Sequence, residues 1–473
     1  MDNKVVTRFA PSPTGFMHIG GVRTALYAWL WARKNKGTFI LRIEDTDKSR
    51  EVEGSIEHII KSLKWLGIDW DEGPDIGGQN APYLQSQRLD SYKKYAKILI
   101  EKGLAYPDPY TKEELDMFRK KSEEEKKPFL YRDYRPEKFG VWDGTQALRF
   151  KTPEIKSYKW NDVVRGDLSA GVEALDDFIL IKGDGYPTYN FAHIIDDLEM
   201  GVTHIMRADE FISSTPKFLS LYDALEITPP IFVTLPPILA DGGNKKLGKR
   251  DGAKDILDYA KEGYLPQAMM NFLVLLGWNP GTEKEIFTQA ELTEAFNISR
   301  IQSSGAQVNL EKLDWMNKEH MKMLPEEEIQ QNILAYLPEE FKNEKLVPVI
   351  LDRISKWSDV KIMLEAGELD CFSKVKIPQY DKAKLVYKNA TPEKTVQNLR
   401  LVIKSFSELA EAEFTLENIK NKLTLIAEME GNRGEVLHPV RYALSGKDKS
   451  PDPFIIASIL GKNETLSRLQ KAV

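Results

Sequence analysis

The sequence predicts an α/β protein in which a nucleotide-binding sheet domain is split by an α+β insertion and followed by an all-α C-terminal region. Three observations predict it. The chain opens with an apolar run, a turn rich in proline and glycine, and an apolar helix pattern. A middle stretch combines short strand patterns with a charged helix pattern, and helical patterns dominate beyond residue 325.

The first fifty residues predict a strand, a turn, a helix and a second strand. The apolar run at 5–9 predicts a buried strand, and two prolines and a glycine exclude a helix through Gly15. Apolar residues from 22 to 32 recur at helical spacing until Gly37 ends the run. A strand pattern at 38–43 follows, with charged residues directly after it. This order is the first unit of a Rossmann-like sheet.

The turn after the first strand has the composition of a phosphate site. Its glycines allow a ligand close to the backbone, and the following helix offers N–H groups to an anion. A P-loop needs Lys and then Ser or Thr after its second glycine, but Gly21 and Val22 follow Gly20. The Gly-x-Gly-x-x-Gly fingerprint is absent as well. Taken alone, the stretch favours a tight structural turn with His18 at the surface.

A change of character between residues 106 and 187 predicts the insertion. One charged helix pattern is accompanied by three strand patterns, at 112–127, 147–151, 160–164 and 178–181. The sheet is predicted to resume at 186–193, before a helix through Asp196 and Asp197. A strand at 203–210, a helix from Thr215 and a strand at 231–233 complete it.

A glycine-containing loop at 241–244 leads into the basic segment Lys245–Arg250. Taken alone, such a segment favours a solvated turn, but its position after a nucleotide-binding sheet favours a phosphate-binding role. A core helix is predicted at 265–276, and another opens near Leu313.

Length and composition narrow the class of protein. The 473 residues are enough for two or three domains, and 29% charged with 42% hydrophobic residues is ordinary for a globular protein. No apolar run reaches the length of a membrane span and the first residues do not resemble a signal peptide, so the cytoplasm is the expected location. The single cysteine, Cys371, excludes an internal disulfide. With a net charge of −6, an RNA partner requires local basic patches.

Two motifs, read together, resemble those of one family. The first motif is Pro11, Ser12, Pro13, Thr14, Gly15, Phe16, Met17, His18, Ile19, Gly20 and Gly21, followed by Arg42-Ile43-Glu44-Asp45-Thr46-Asp47. The second, here called the lysine-rich segment, is Lys246, Leu247, Gly248, Lys249 and Arg250. They resemble the two signatures of class I aminoacyl-tRNA synthetases, in the right order and about 230 residues apart. More narrowly, nearly the whole chain resembles the bacterial glutamyl-tRNA synthetases.

The resemblance implies a domain organisation. It implies a Rossmann-like catalytic domain at 1–90 and 186–242, split by an α+β insertion at 91–185 that approaches the acceptor end of the tRNA. A stem-contact domain with the lysine-rich segment is expected at 243–325. An all-α anticodon-binding region is expected at 326–473.

The resemblance also implies a reaction and its residues. Glutamate and ATP form glutamyl-adenylate, and the glutamyl group then moves to the terminal adenosine of the tRNA; Mg²⁺ accompanies the ATP. The catalytic residues so implied are His18, Lys246 and Lys249, and those at the ATP are His18, Gly20, Gly21, Lys249 and Arg250. The residues implied for glutamate are Arg8, Ala10, Ser12, Glu44, Tyr189, His193, Arg207 and Glu210. Arg433 and Arg441 are implied for the tRNA.

Some positions depart from the family's pattern. Gly21 stands where the class often has a second histidine, Gly248 where serine is usual, and His193 where relatives often have asparagine. Some members bind zinc in the insertion, on cysteines at the equivalents of 106–110 and 131–135. Those stretches contain no thiol here, so no zinc is expected.

Other classes stay open at this stage. A glutaminyl-tRNA synthetase shares the signatures but usually ends in β-barrels, and a tRNA-modifying relative lacks the last third of the chain. A dinucleotide-dependent oxidoreductase does not explain the lysine-rich segment. A noncatalytic RNA-binding homologue does not need His18, Lys249, Arg8 and Glu44 together, although a salt bridge at the sheet edge also explains Arg8 and Glu44. A monomer without membrane contact is expected, and charging of glutamine tRNA as well is an open alternative.

Overall fold

The computed structural model describes residues 4–240, 242–243, 245–248 and 254–473. The chain divides into two compact units, Met1–Met316 and Asn317–Val473. Within the described ranges, no helix combines the length and the apolar character needed to cross a membrane. The divisions predicted inside the first unit, and the one predicted at residue 325, stay predictions.

Short strands and helices alternate through the first unit. Its strands are β1 (Val6–Phe9), β2 (Thr38–Leu41), β3 (Ala105–Pro107), β4 (Leu148–Phe150), β5 (Tyr158–Asp162), β6 (Gly166–Ala170), β7 (Ile179–Ile181), β8 (His204–Ala208), β9 (Ile231–Leu235), β10 (Ile238–Leu239) and β11 (Ala306–Gln307). Its helices are α1 (Ile19–Lys34), α2 (Ser55–Trp65), α3 (Leu89–Glu101), α4 (Lys112–Glu124), α5 (Tyr189–Glu199), α6 (Thr215–Leu225), α7 (Ile256–Lys261), α8 (Pro266–Leu275) and α9 (Gln289–Ala295).

The predicted opening unit is present. β1 pairs with β2 in parallel, with Val6 opposite Thr38 and Phe9 opposite Leu41. α1 connects them and is buried around most of its circumference, because it also packs against α8 and α9. The Tyr27 hydroxyl donates to the carbonyl of Val274 at 2.9 Å, which fixes α1 against the end of α8. A helix apolar on nearly all sides is therefore a core helix here.

A second sheet has the order β6-β5-β9-β8. β8 and β9 are parallel, while β5 and β6 form a hairpin whose Asp162 lies opposite Phe232 of β9. The buried Asp162 carboxylate accepts hydrogen bonds from the Thr234 hydroxyl at 2.6 Å and from its N–H. The hairpin lies in the range predicted for the insertion, yet this ladder and carboxylate attach it to the sheet of β8 and β9.

The rest of the predicted insertion contains the antiparallel sheet β3-β4-β7. The two stretches that lack the zinc-binding cysteines, 106–110 and 131–135, are connected by hydrogen bonds. The Tyr131 hydroxyl donates to Asp108 at 2.6 Å and the Tyr106 hydroxyl donates to Asp177 at 2.7 Å. Arg135 donates to both oxygens of Asp177, at 2.7 and 2.6 Å. Tyrosine, aspartate and arginine side chains therefore hold this part of the chain together.

The start of α5 differs from the prediction. Residues 189–193 are predicted as part of the resumed sheet but form the first five residues of α5. This helix begins directly after Pro187 and Thr188. Proline disfavours helix at the residue before it and does not prevent one from starting after it, so the helix begins here. The difference matters because it places Tyr189 and His193 on the same face of one helix.

The second unit is helical. α10 (Leu310–Lys322) contains the boundary, and the helices that follow are α11 (Glu326–Tyr336), α12 (Val347–Leu351), α13 (Asp359–Glu365), α14 (Pro392–Ser407), α15 (Leu416–Met429), α16 (Arg433–Ser445), α17 (Pro453–Leu460) and α18 (Lys462–Ala472). Residues 317–473 are all described and contain no strand. The buried Arg468 of α18 donates to the carbonyls of Cys371, Ser373 and Leu444, which ties α18 to α16 and the preceding turns.

Candidate active site

The turn between β1 and α1 is built around His18. This residue caps α1, and its Nδ1 accepts a hydrogen bond from the N–H of Gly20 at 3.1 Å. A Cβ on residue 20 would lie 2.8 Å from Cε1 of His18, so the ring position requires glycine there. Because Nδ1 accepts, a neutral His18 carries its proton on Nε2, which is then a donor for an anion. The Gly20 N–H, predicted to be open to phosphate, is occupied by this ring.

A buried group of charged side chains lies behind the turn, and we call it the charged network. Its inner part joins β1, the residues after β2, and α5. Asp197 accepts from Arg8 at 3.0 and 3.3 Å, and from Arg42 at 2.8 Å. Arg42 also donates to Glu44 at 3.1 Å. Arg8 and Glu44 are therefore connected through Asp197 and Arg42, and the simple salt bridge considered from the sequence is replaced by a larger group.

The outer part of the charged network is organised around Asp196, which is fully buried. Its carboxylate accepts from Arg88 at 2.7 Å, from Gln85 at 2.8 Å and from the Tyr92 hydroxyl at 2.9 Å. Arg42 lies 3.6 Å away. Buried charges need such partners, since an unpaired one costs several kcal/mol. The network therefore holds Arg42, and through it Glu44, in a fixed position.

The two inner carboxyl groups have opposite pKa shifts. Burial raises the pKa of Glu44 to about 7, and the nearby Arg42 and Arg8 only partly oppose this. Burial also disfavours ionisation of Asp197, but Arg8 and Arg42 outweigh it and lower the pKa of this carboxyl to about 2. Asp197 is thus an anion at neutral pH, while Glu44 changes charge there.

Tyr189 and His193 stack on α5, with ring centroids 4.5 Å apart and planes 14° from parallel. The Nδ1 of His193 lies 2.6 Å from the carbonyl of Tyr189. Burial lowers the pKa of His193 to about 3, so the ring is neutral, its Nδ1 donates, and its Nε2 is an acceptor. Among the described residues, this buried Nε2 has no hydrogen-bond partner.

Arg207, on β8, is a buried guanidinium enclosed by rings. Its Nη2 donates to the Thr215 hydroxyl at 2.9 Å, while its buried Nη1 has no hydrogen-bond partner in the described part of the chain. The rings of Phe218 and Phe232 lie 5.0 and 5.1 Å from its central carbon. Burial lowers its pKa. Tyr189 interacts electrostatically with Arg207, Arg8 and Glu44, so these charged groups lie in its neighbourhood.

The lysine-rich segment is described in part. Lys246 is half exposed and donates to Glu210 at 2.9 Å, with Asp209 at 3.7 Å. The N–H of Leu247 donates to the carbonyl of Ile238 at 2.8 Å. Glu210, implied for glutamate, is therefore exposed and paired with Lys246. Lys249 and Arg250 lie outside the described residues.

The remaining predicted residues lie in two places. Ala10 is partly buried and Ser12 exposed, in the turn that follows β1. Arg433 and Arg441 both lie on α16 of the second unit. Arg433 is exposed, and Arg441 donates to the carbonyl of Lys447 and the hydroxyl of Ser450.

Sequence reasoning missed the network's remaining members, namely Arg42, Gln85, Arg88, Tyr92, Asp196 and Asp197, as parts of a site. One signal was present, since two adjacent aspartates lie in a helix whose neighbouring residues are apolar. Charged residues are almost never fully buried unless they are paired. Two of them within an apolar helix therefore indicate buried cationic partners elsewhere in the chain.

Comparison with known proteins now identifies the class. Residues 4–315 match the family described as "tRNA synthetases class I (E and Q), catalytic domain", and residues 314–473 match "Anticodon binding domain". The chain, with this sheet and turn in the first unit and helices in the second, is therefore a class I aminoacyl-tRNA synthetase.

The relatives narrow the assignment. The chain is 44% identical to a glutamate–tRNA ligase of Clostridium kluyveri and 42% identical to one of Clostridium botulinum; each match covers 99% of this chain and 98% of the relative. The crystal structure of a glutamate tRNA ligase from Elizabethkingia meningosepticum in complex with its amino acid matches with a TM-score of 0.87 and 35% identity, over 99% of both chains. The chain belongs to the glutamate–tRNA ligase family. The alternative classes are not favoured.

Proposed function

We propose that this protein attaches glutamate to its tRNA for protein synthesis, through glutamyl-adenylate and then transfer to the terminal adenosine. The observation that carries this proposal is the charge pattern around Tyr189. Arg207 is buried without a carboxylate contact among the described residues, while Glu44 is a buried carboxyl that, like Arg207, interacts electrostatically with Tyr189. Glutamate supplies both counter-charges, since its side-chain carboxylate pairs with arginine and its ammonium pairs with Glu44.

In the first step, the α-carboxylate of glutamate attacks the α-phosphorus of ATP, and the bond to pyrophosphate breaks. Negative charge spreads over the phosphate oxygens, so the protein's task is to hold the reactants and supply fixed donors. We assign this role to Nε2 of His18 on one side and to Lys249 with Lys246 and Arg250 on the other. Among the described residues there is no group of three or more metal-ligating side chains. Mg²⁺ would be held mainly by ATP and water.

The second unit supports the tRNA part of the proposal. It matches an anticodon-binding family, and α16 presents the exposed Arg433 at its first position. We assign Arg433 and Arg441 to tRNA contact. A monomer in the cytoplasm without bound zinc stays a prediction. Charging of glutamine tRNA in addition to glutamate tRNA stays an open alternative.

The experiment that tests the function is ATP–pyrophosphate exchange with each amino acid, with and without tRNA. Exchange is expected with glutamate and not with glutamine. Charging assays with purified glutamate tRNA and glutamine tRNA then separate a discriminating enzyme from a non-discriminating one. Exchange that depends on glutamine, or no exchange with any amino acid, contradicts the proposal.

Replacing Lys249 with alanine is expected to slow adenylate formation at saturating ATP by a hundredfold or more, with a smaller change in ATP KM. One donor to a developing charge is worth about 3 kcal/mol in the transition state. His18→Ala is expected to behave similarly. Lys261→Ala removes an exposed lysine from α7 and is the control. Near-native turnover in either Lys249→Ala or His18→Ala refutes the assignment of that residue.

Glutamate use is expected to depend on pH through Glu44. Only ionised Glu44 binds the substrate's ammonium, and its pKa is raised to about 7 in the free protein. kcat/KM for glutamate should therefore fall about tenfold per pH unit below about pH 7 and level off above it. At saturating glutamate the bound ammonium keeps Glu44 ionised, so kcat should fall only at lower pH. A kcat/KM profile that is flat from about pH 5.5 to 8 contradicts this role.

A further inference from the structure

A side-chain pair joins α2 to the chain that follows the lysine-rich segment. His58, on α2, has its Nε2 2.7 Å from Oδ2 of Asp255, and both side chains are largely covered, at 12% and 20% exposure. The two residues are 197 positions apart. A hydrogen bond between an imidazole and a carboxylate is charge-assisted, and partial burial strengthens it.

The backbone meets at the same place. His18 and Asp255 form an antiparallel bridge, and the N–H of Ile256 donates to the carbonyl of Met17 at 2.9 Å. The ring of Phe16 packs on that of His58 with centroids 4.7 Å apart. Residues 16–18 of the first turn, α2 and Asp255 are therefore in direct contact.

Asp255 follows Lys249 by six residues in the sequence. The segment's other end is held by the bond from Leu247 to Ile238 and by the pair of Lys246 with Glu210. Asp255 is therefore the described residue at which the chain after the lysine-rich segment meets the turn that carries His18. An error of about 1 Å in the relative position of two reacting groups costs about a hundredfold in rate.

We propose that His58 and Asp255 are positioning residues for adenylate formation. They hold the chain that follows the lysine-rich segment against the turn that carries His18. This inference rests on the proposed function. Nε2 of His58 faces Asp255, its Nδ1 lies 3.3 Å from the Ser62 hydroxyl, and Phe16 packs on the ring. His58 therefore acts through Asp255 and not on the substrate.

Two substitutions separate this pair from the rest of the fold. Oδ1 of Asp255 accepts from the N–H of Leu257 and caps α7, and asparagine caps a helix as well as aspartate does, so Asp255→Asn removes the charge and keeps the cap. His58→Phe removes the hydrogen bond and keeps a ring against Phe16. Asp258→Asn is the matched control, since the half-exposed side chain of Asp258 on α7 pairs with Lys261 and with no other side chain among the described residues.

The measurement is ATP–pyrophosphate exchange with glutamate, in the presence of tRNA and normalised to active sites by the adenylate burst. Each single variant is expected to lower kcat about tenfold, with KM for glutamate changed by less than about twofold and Tm unchanged. The double variant is expected to lose no more than either single one, because both changes remove one interaction. Asp258→Asn is expected to match the wild type.

Three results overturn the inference while the wild type is active. These are single variants with wild-type kcat, losses that multiply in the double variant, and losses that disappear after normalisation while Tm falls. The last result identifies a purely structural pair. A wild type without glutamate-dependent exchange overturns the proposed function, and this inference with it.

Discussion

Replacing Asp197 with asparagine is expected to lower the free energy of unfolding of the first unit by about 3 to 5 kcal/mol. Asp197 is the shared counter-charge of two buried guanidinium groups, Arg8 and Arg42. Arg42 keeps Glu44 and Asp196 in the variant, but among the described residues Arg8 keeps only the carbonyl of Met206, at 3.4 Å. The cost therefore comes mainly from a buried charge that loses its carboxylate.

The pKa of Asp197 gives the sign of the pH dependence. Folding lowers this pKa from 3.8 to about 2, because the two guanidinium groups outweigh the effect of burial. A lowered carboxyl pKa stabilises the folded state above the unfolded value, here above about pH 4, and this stabilisation is lost as the pH falls toward 2. The difference between wild type and Asp197→Asn should persist at neutral pH and shrink in acid.

Urea denaturation followed by tryptophan fluorescence measures this effect in the right unit, since eight of the nine tryptophans lie in residues 1–316 and only Trp357 lies beyond. Glu226→Gln is the control, because it removes an exposed acid paired with Lys102 and should change stability by less than about 1 kcal/mol. An Asp197→Asn variant as stable as this control would show that the charged network contributes little to the fold.

Local patterns were sufficient to predict the opening unit of the fold. The strand pattern at 5–9, the helix pattern from residue 22 and the strand pattern at 38–43 correspond to β1, α1 and β2. Each of these is decided by residues a few positions apart, where periodicity and the positions of proline and glycine are informative. The ends moved by a few residues, because caps and pairing decide where an element stops.

The charged network was beyond that kind of reasoning. Arg8 lies 189 positions from Asp197, and Arg88 lies 108 positions from Asp196. No local periodicity reports such a pairing, which exists only after β1 and α5 have packed together. The hairpin of β5 and β6 is a similar case, since the pattern at 160–164 predicts one strand but neither β6 nor the pairing of Asp162 opposite Phe232.

Arg207 is expected to carry most of the discrimination between glutamate and glutamine. The two amino acids are nearly isosteric, so the volume of the pocket cannot separate them and charge must. Arg8 already has the Asp197 carboxylate, whereas Arg207 has a buried Nη1 without a hydrogen-bond partner among the described residues. Bound glutamine leaves that charge unpaired, at a cost of roughly 2 to 5 kcal/mol, which is a discrimination of about a hundredfold or more.

Arg207→Gln should therefore lower kcat/KM for glutamate by about a hundredfold or more and bring the values for glutamate and glutamine close together. Arg8→Gln is expected to have a smaller effect on this ratio, and the double variant should show no preference. Thr215→Val is the matched control, because it removes the hydrogen bond to Nη2 of Arg207 and leaves the guanidinium in place. This control should keep most of the preference for glutamate.

Stability distinguishes this loss from a damaged fold. Removing an unpaired buried guanidinium relieves its desolvation, so Arg207→Gln should unfold at a Tm no lower than that of the wild type. Asp197→Asn, which creates an unpaired charge, should do the opposite, although both residues interact electrostatically with Tyr189. Opposite effects on stability, together with a loss of the preference for glutamate in Arg207→Gln alone, identify Arg207 as the group that binds the side-chain carboxylate of the substrate. Unaltered selectivity in the double variant of Arg8 and Arg207 places the specificity pocket elsewhere.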